Sequence, residues 1–308
     1  MVDVALKYDD ISYASIRHDE TIKLTFNEVT LDLDVIDDTR AEREEIQKEL
    51  DEIVGLDDVK NYLLSLENLL KINQIRKQKG LKTNEISKHM IFTGNPGTGK
   101  TTIARLVSRM MKACGIMKQG QLVEVTRADL VGKYVGHTAP LTMSVIQSAL
   151  GGVLFIDEAY SLYRGKDDSF GLEAIDTLVK AMEDHRDDLI VILAGYTKEM
   201  KEFLEANSGL KSRFANIIEF SDYTGEELML IAKSIAKGKD YVIAEDALRP
   251  LQDYFTLIQA QNDPNSGNGR LARNLVEDAI LNQSKSLLEN PDAQMNVLER
   301  VDFNLGER

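Results

Sequence analysis

Residues 94–102 read Gly94-Asn95-Pro96-Gly97-Thr98-Gly99-Lys100-Thr101-Thr102. Glycines at this spacing let backbone N–H groups turn inward and cradle phosphate oxygens. A helix beginning just after them adds the partial positive charge of its N-terminus. The ammonium of Lys100 suits the β- and γ-phosphates of a nucleoside triphosphate, and the hydroxyl of Thr101 suits Mg2+. Farther along, Asp157 and Glu158 follow the apolar run Val153-Leu154-Phe155-Ile156. Asp157 can hold Mg2+, often through water, and Glu158 can polarise an attacking water. Phosphoryl transfer to water needs both charge neutralisation and an oriented nucleophile. Each motif has a bland alternative: a chance Gly-rich turn for the first, a helix N-cap after a core strand for the second. Their occurrence together, each in its proper context, favours the phosphate chemistry.

The elements that must position these groups are legible around them. The loop follows His89-Met90-Ile91-Phe92-Thr93 and precedes Ile103-Ala104-Arg105-Leu106-Val107, a strand and then a helix. Gln121-Leu122-Val123-Glu124-Val125 reads as a strand, and Leu189-Ile190-Val191-Ile192-Leu193-Ala194-Gly195 as a buried one. Phe214, Ile217, Ile218 and Phe220 outline a fifth. Uninterrupted apolar strands are buried on both faces, as in parallel sheets. Strands alternating with helices predict an α/β fold with a doubly wound parallel sheet. Asp157 and Glu158 would then emerge at a strand C-terminus, where such sheets bind ligands.

From Thr224 onward the pattern is helical, with helices opening near Gly225, Ala244 and Leu271 and a polar loop at 262–269. This predicts a small helical domain over 225–290 and a tail, 291–308, without clear pattern. At the other end, Ile22, Leu24 and Phe26, then Val29, Leu31, Leu33 and Val35, alternate with polar residues about Asn27-Glu28. Period-two alternation on both sides of a turn predicts a β-hairpin. Thr39-Arg40-Ala41-Glu42 reads as a capping box, with a helix over 40–53. A second helix runs from Asp57 to near Gly80. The expected division is a hairpin extension at 1–38, an α/β domain at 39–224, the helical domain and the tail.

Of 308 residues, 43% are hydrophobic and 29% charged, as in ordinary globular chains. No apolar run approaches the ~20 residues of a membrane helix. With one cysteine, Cys114, no intrachain disulfide can form. The start lacks a charged-then-apolar leader pattern, and the expectation is a cytoplasmic protein. Sixteen acidic and six basic residues fall in 1–56, so that segment carries −10 of the net −14. It is either a solubilising face or a docking site for a basic partner. No Lys/Arg-rich stripe points to nucleic acid.

Together, the phosphate loop, the Asp157-Glu158 strand end and the trailing helices resemble an AAA+ ATPase, a P-loop NTPase with a helical lid, from about Ile53 to Leu288. Gly94–Thr102, 125–132, 134–140, 151–160 and 191–196 closely resemble the group of red-type Rubisco activases (CbbX, CfxQ) and stage V sporulation protein K. The hairpin is not part of that resemblance. The resemblance implies rings, usually hexamers, with ATP between subunits. It implies that Arg213 is an arginine finger reaching the neighbour's γ-phosphate, and that Arg270, or less readily Arg273, is the sensor-2 arginine. Tyr196 or Thr197 occupies the sensor-1 place. Val54, Gly55 and Leu56 match the segment lining the adenine pocket. Lys133, Tyr134 and Val135 match a pore loop that grips a threaded polypeptide, Tyr134 being its aromatic. The bland alternative packs Tyr134 back into the core.

The expected function is therefore an ATP-hydrolysing remodelling motor with a protein client. Red-type Rubisco activase is the special case with one client. A nucleotide-gated scaffold is the alternative from another class, and the presence of Glu158 and Arg213 argues against it.

Overall fold

The structure is a computed structural model that describes residues 13–16, 22–26, 29–83, 87–261, 263, 266–289 and 294–306. Its centre is a five-stranded parallel sheet of Met90–Gly94 (β4), Leu122–Val125 (β5), Gly152–Ile156 (β6), Leu189–Gly195 (β7) and Asn216–Phe220 (β8). The spatial order is β5-β6-β7-β4-β8. The chain leaves β4 for the far edge, returns through β6 and β7, and crosses β4 to lay down β8. The C-terminal ends of β4, β6 and β7 thus lie side by side at the point where the winding reverses, the usual ligand crevice.

The alternation hidden inside the apolar strands is visible once they are layered. Ile190, Ile192 and Ala194 face one side with Phe92 and Phe155, against helices Leu33–Glu52, Asp57–Gln78 and Lys100–Ala113. Leu189, Val191 and Leu193 face the other with Leu154 and Ile156, against Thr138–Ala149, Ser169–Asp184 and Thr197–Ala206. The phosphate-loop helix is anchored at its far end as well: Arg43 donates from Nε (2.9 Å) and a terminal nitrogen (2.6 Å) to the Ala113 carbonyl. A cation on the last carbonyls favours a helix C-terminus.

His89, at the entry to β4, is buried and accepts the Val191 N–H on Nδ1 at 3.0 Å. Burial first, then the charges of Lys88 and Arg213, push its pKa down to about 4. A folded value below the unfolded one means the unfolded chain binds more protons between them. His89 should therefore contribute about 3 kcal/mol above pH 6.5 that is lost as pH falls toward 4. Urea unfolding of His89→Gln should show a correspondingly shallower acid decline than wild type. Parallel curves would sink this account.

Three findings differ from the sequence expectations. Ile22–Phe26 (β2) and Val29–Asp32 (β3) form the expected antiparallel hairpin, with Phe26 opposite Val29, while its turn residues 27–28 lie outside the described residues. Tyr13–Ile16 (β1) adds an unforeseen third strand on β2. The following helix begins at Leu33 rather than near 40. Leu33 and Ile36 are three apart, so residues that extend an alternation also fit a helical period. Finally, the patternless tail carries structure: Val297–Leu298 pairs in parallel with Val242–Ile243, and Leu298 and Phe303 are buried among helices Gly225–Lys237, Glu245–Ala260 and Gly269–Glu289. The apolar residues of the tail, Met295, Val297, Leu298, Val301, Phe303 and Leu305, fall at irregular spacing among polar ones and show no single period.

Candidate active site

Loop 95–99 leaves β4 and enters helix Lys100–Ala113 through Gly97 and Gly99, at φ of 75° and 94°. At Gly97 a side chain has no room: a Cβ would lie 2.1 Å from the Gly267 carbonyl oxygen. Lys100 turns its ammonium back into the loop, donating to the carbonyls of Gly94 (2.8 Å) and Asn95 (2.7 Å). Burial lowers its pKa to about 8 against the opposing pull of Asp157, with Arg270 adding to the depression and Asp222 relieving it. An anion arriving there would meet a desolvated cation and stabilise its charged form. Thr98 is buried, its hydroxyl donating to the Asn95 carbonyl at 2.9 Å.

Around this loop opens a cleft of about 870 Å³. Gly94, Pro96, Gly97, Gly99, Lys100, Thr101 and Thr102 form its floor. Asp157 and Glu158 enter from β6, Tyr196 from the end of β7, Val54 from the turn before helix Asp57–Gln78, and Arg270 and Arg273 from helix Gly269–Glu289. The sequence left Arg270 and Arg273 open; both line the cleft, and Arg270 is the one coupled electrostatically to Lys100. Glu158 sits in the left-handed region at φ 48°, and its N–H donates to Asp157 Oδ1 at 3.0 Å. Such backbone strain in a non-glycine residue clusters at functional sites. Tyr196 stacks against Tyr160, ring centroids 5.8 Å apart.

Like the buried Thr98, Asn95 and Gly55 support the cleft instead of lining it. Asn95 hydrogen-bonds Asp222, at 3.0 and 2.8 Å. Gly55 takes φ 62° where a Cβ would meet Glu227 Oε1 at 2.2 Å, letting the turn press against the helical domain. Sequence reasoning missed the rest of that domain's contribution. Ile231, Ser234 and Ile235 line the cleft, and Tyr223 lines it while donating its hydroxyl to the Thr98 carbonyl at 3.2 Å. Glu49 also lines it, held by Arg109 at 2.6 Å. None of these has a motif, because their role comes from two domains meeting.

Residues 90–222 match the model of the ATPase family associated with various cellular activities (AAA), and 224–308 match the AAA lid domain. Over 245 residues the chain is 46% identical to stage V sporulation protein K of Bacillus subtilis, covering 79% of this chain and 76% of the relative. The chain belongs to the AAA family of ATPases. Ribulose bisphosphate carboxylase/oxygenase activase of Cyanidioschyzon merolae is 41% identical over 85% of this chain and 91% of that one. CfxQ and CbbX proteins are among the relatives too, the group the motifs pointed to. The AAA domain of FIGL-1, solved in complex with ADP, shares the fold at a TM-score of 0.55 and 20% identity, over 82% of this chain and 80% of that one. The chain is thus a remodelling-type AAA ATPase, which binds nucleotide and hydrolyses ATP.

In this AAA ATPase the remaining predicted residues lie away from the cleft. Arg213 ends helix Ser208–Arg213, donates to its own Gly209 carbonyl (3.1 Å), and pairs with Glu183 at 3.3 Å. Its Nε is buried without a hydrogen-bond partner. Lys133, Tyr134 and Val135 form an exposed loop before helix Thr138–Ala149, with Tyr134 68% and Val135 89% exposed. Tyr134 stands edge-on to His137, centroids 5.5 Å apart, and does not fold into the core. Thr138 stiffens the loop base by accepting the Gly132 N–H at 3.1 Å. No helix among the described residues is long and apolar enough to cross a membrane.

Proposed function

We propose that this ATPase works as a ring, a hexamer as the family resemblance implies, that pulls a polypeptide client through a central pore in the cytoplasm. Family members act as ring assemblies on client proteins. The observation that carries the threading reading is the Tyr134-Val135 pair, an aromatic and an aliphatic side chain held out in solvent by a braced loop. Such a pair offers a sequence-tolerant apolar grip. At the nucleotide, Lys100 and the loop N–H groups would bind the phosphates, Val54 would border the base with Gly55 shaping the turn that holds it, and Glu158 would orient the attacking water. Tyr196 and Arg270 would sense the γ-phosphate. Thr101 and Asp157, both oxygen donors on the cleft, fit Mg2+. When bound, that ion would neutralise phosphate charge. Arg213, which faces Glu183 and not its own cleft, would reach the neighbouring subunit's nucleotide.

The test is Tyr134→Ala. ATP turnover without client should stay within about twofold of wild type, since the loop lies outside the cleft, while work on a client polypeptide falls at least about tenfold. Remodelling that survives Tyr134→Ala would overturn threading. The spread of relatives, from a sporulation protein to a Rubisco activase, does not favour Rubisco over other clients.

A further inference from the structure

Asn268 is fully buried, and its φ is 46°. Asparagine tolerates the left-handed region better than most residues, and here its surroundings hold it there. Its Nδ2 donates to Asp222 Oδ1 at 2.8 Å and to the Pro96 carbonyl at 3.4 Å. Its Oδ1 accepts the Tyr223 N–H at 3.0 Å and Gln259 Nε2 at 3.4 Å. Asp222 in turn accepts both contacts from Asn95. The backbones meet at the same spot, where the Gly269 N–H donates to the Gly97 carbonyl at 3.0 Å. One side chain therefore ties together the phosphate loop, the junction between the AAA and lid segments, and the first turn of the lid helix that carries Arg270.

We propose that Asn268 is a positioning residue: through Asp222 and Asn95 it pins the start of the lid helix to the phosphate loop and so sets where Arg270 meets bound nucleotide. The proposal rests on the reading of Arg270 as a nucleotide contact. The lid joins the AAA domain through a short junction, and of the side-chain contacts across it those of Asn268 lie two residues from Arg270. The hydrogen bond from Asn268 to the Asp222 carboxylate is of the charge-assisted kind, the stronger class.

The network permits an exchange test on the full chain. Asn268→Asp keeps the shape but sets two carboxylates against each other. In the double variant Asp222→Asn/Asn268→Asp, the amide at 222 donates to the carboxylate at 268 and still accepts from Asn95. Affinity for a non-hydrolysable Mg·ATP analogue, measured by calorimetry, should fall about tenfold or more in Asn268→Asp, with KM for ATP rising more than kcat falls. The double variant should return within about threefold of wild type. Wild-type affinity in Asn268→Asp, or a double variant no better than the single, would overturn the clasp. If Asn268→Asp does not fold, the double is compared with Asp222→Asn alone, and a double that neither folds nor binds better overturns it equally. Arg270→Ala separates the two ideas: unchanged ATP affinity there defeats the reading of Arg270, whereas the exchange pair judges the clasp.

Discussion

Glu158→Gln is expected to lower ATP turnover by about 10²–10⁴-fold while leaving nucleotide affinity within a few-fold of wild type. Glutamine matches glutamate in shape and keeps the position at the end of β6, at the mouth of the cleft that Lys100 and Thr101 share. What it loses is the carboxylate that can accept a proton from, or orient, the attacking water. The phosphate-holding groups are untouched, so binding should persist. Glu158 is also held away from relaxed backbone, at φ 48°, by its place between the strand and the turn Ala159–Leu162. A flexible loop carboxylate would not be fixed in this way. The checks are phosphate release at saturating ATP and a nucleotide titration on the same preparation. Turnover within tenfold of wild type would remove Glu158 from the chemistry. The same variant, holding ATP, is the natural trap for the client.

Arg213→Ala is expected to cut turnover by ~10³–10⁵-fold, the scale of a finger that stabilises charge on the transferring phosphoryl group. A structural explanation would require Arg213 to matter to its own subunit, and its contacts there are slight. The pair with Glu183 is partly exposed, and such pairs contribute about 1 kcal/mol or less. The unpartnered, buried Nε is a donor the subunit alone leaves unused. The melting temperature should therefore hardly move while hydrolysis collapses. Mixing provides the sharper measurement. A ring built from Arg213→Ala and Glu158→Gln subunits contains some interfaces where an intact Glu158 meets an intact Arg213 from the neighbour. Two inactive preparations should regain turnover on mixing. No recovery, with mixed assembly demonstrated, would place Arg213 in its own subunit or outside the reaction.

Much of the chemistry is local in sequence, and for that reason it was legible. The phosphate loop needs its glycines, lysine and threonine consecutively, because one turn of backbone must wrap one phosphate group. Asp157 and Glu158 could be read because a strand buried on both faces has to be apolar until it ends, so the first carboxylates mark its end. The five strands and the helical domain followed from the same periodicities. Arg213, Arg270 and Tyr134 were legible through resemblance alone, since a lone arginine or tyrosine has no spacing that declares its role.

Other features depended on chain segments far apart. Asn268 looked like one more polar residue in a polar loop, yet it lies buried between Pro96, Asp222 and Tyr223. Leu298 and Phe303 looked like a tail, yet they complete the lid's core. The sequence by itself determined that this chain is an ATP-hydrolysing protein with a wound parallel sheet and a carboxylate pair, Asp157-Glu158, closing one strand, because each of those depends on neighbours along the chain. Only the tertiary structure decided that the cleft has a second wall from the lid, that Lys100 sits desolvated against carbonyls, that Arg213 turns away from its own cleft and that Tyr134 stands in solvent. Burial and hydrogen-bond geometry across long sequence separations exist only once the chain has closed on itself.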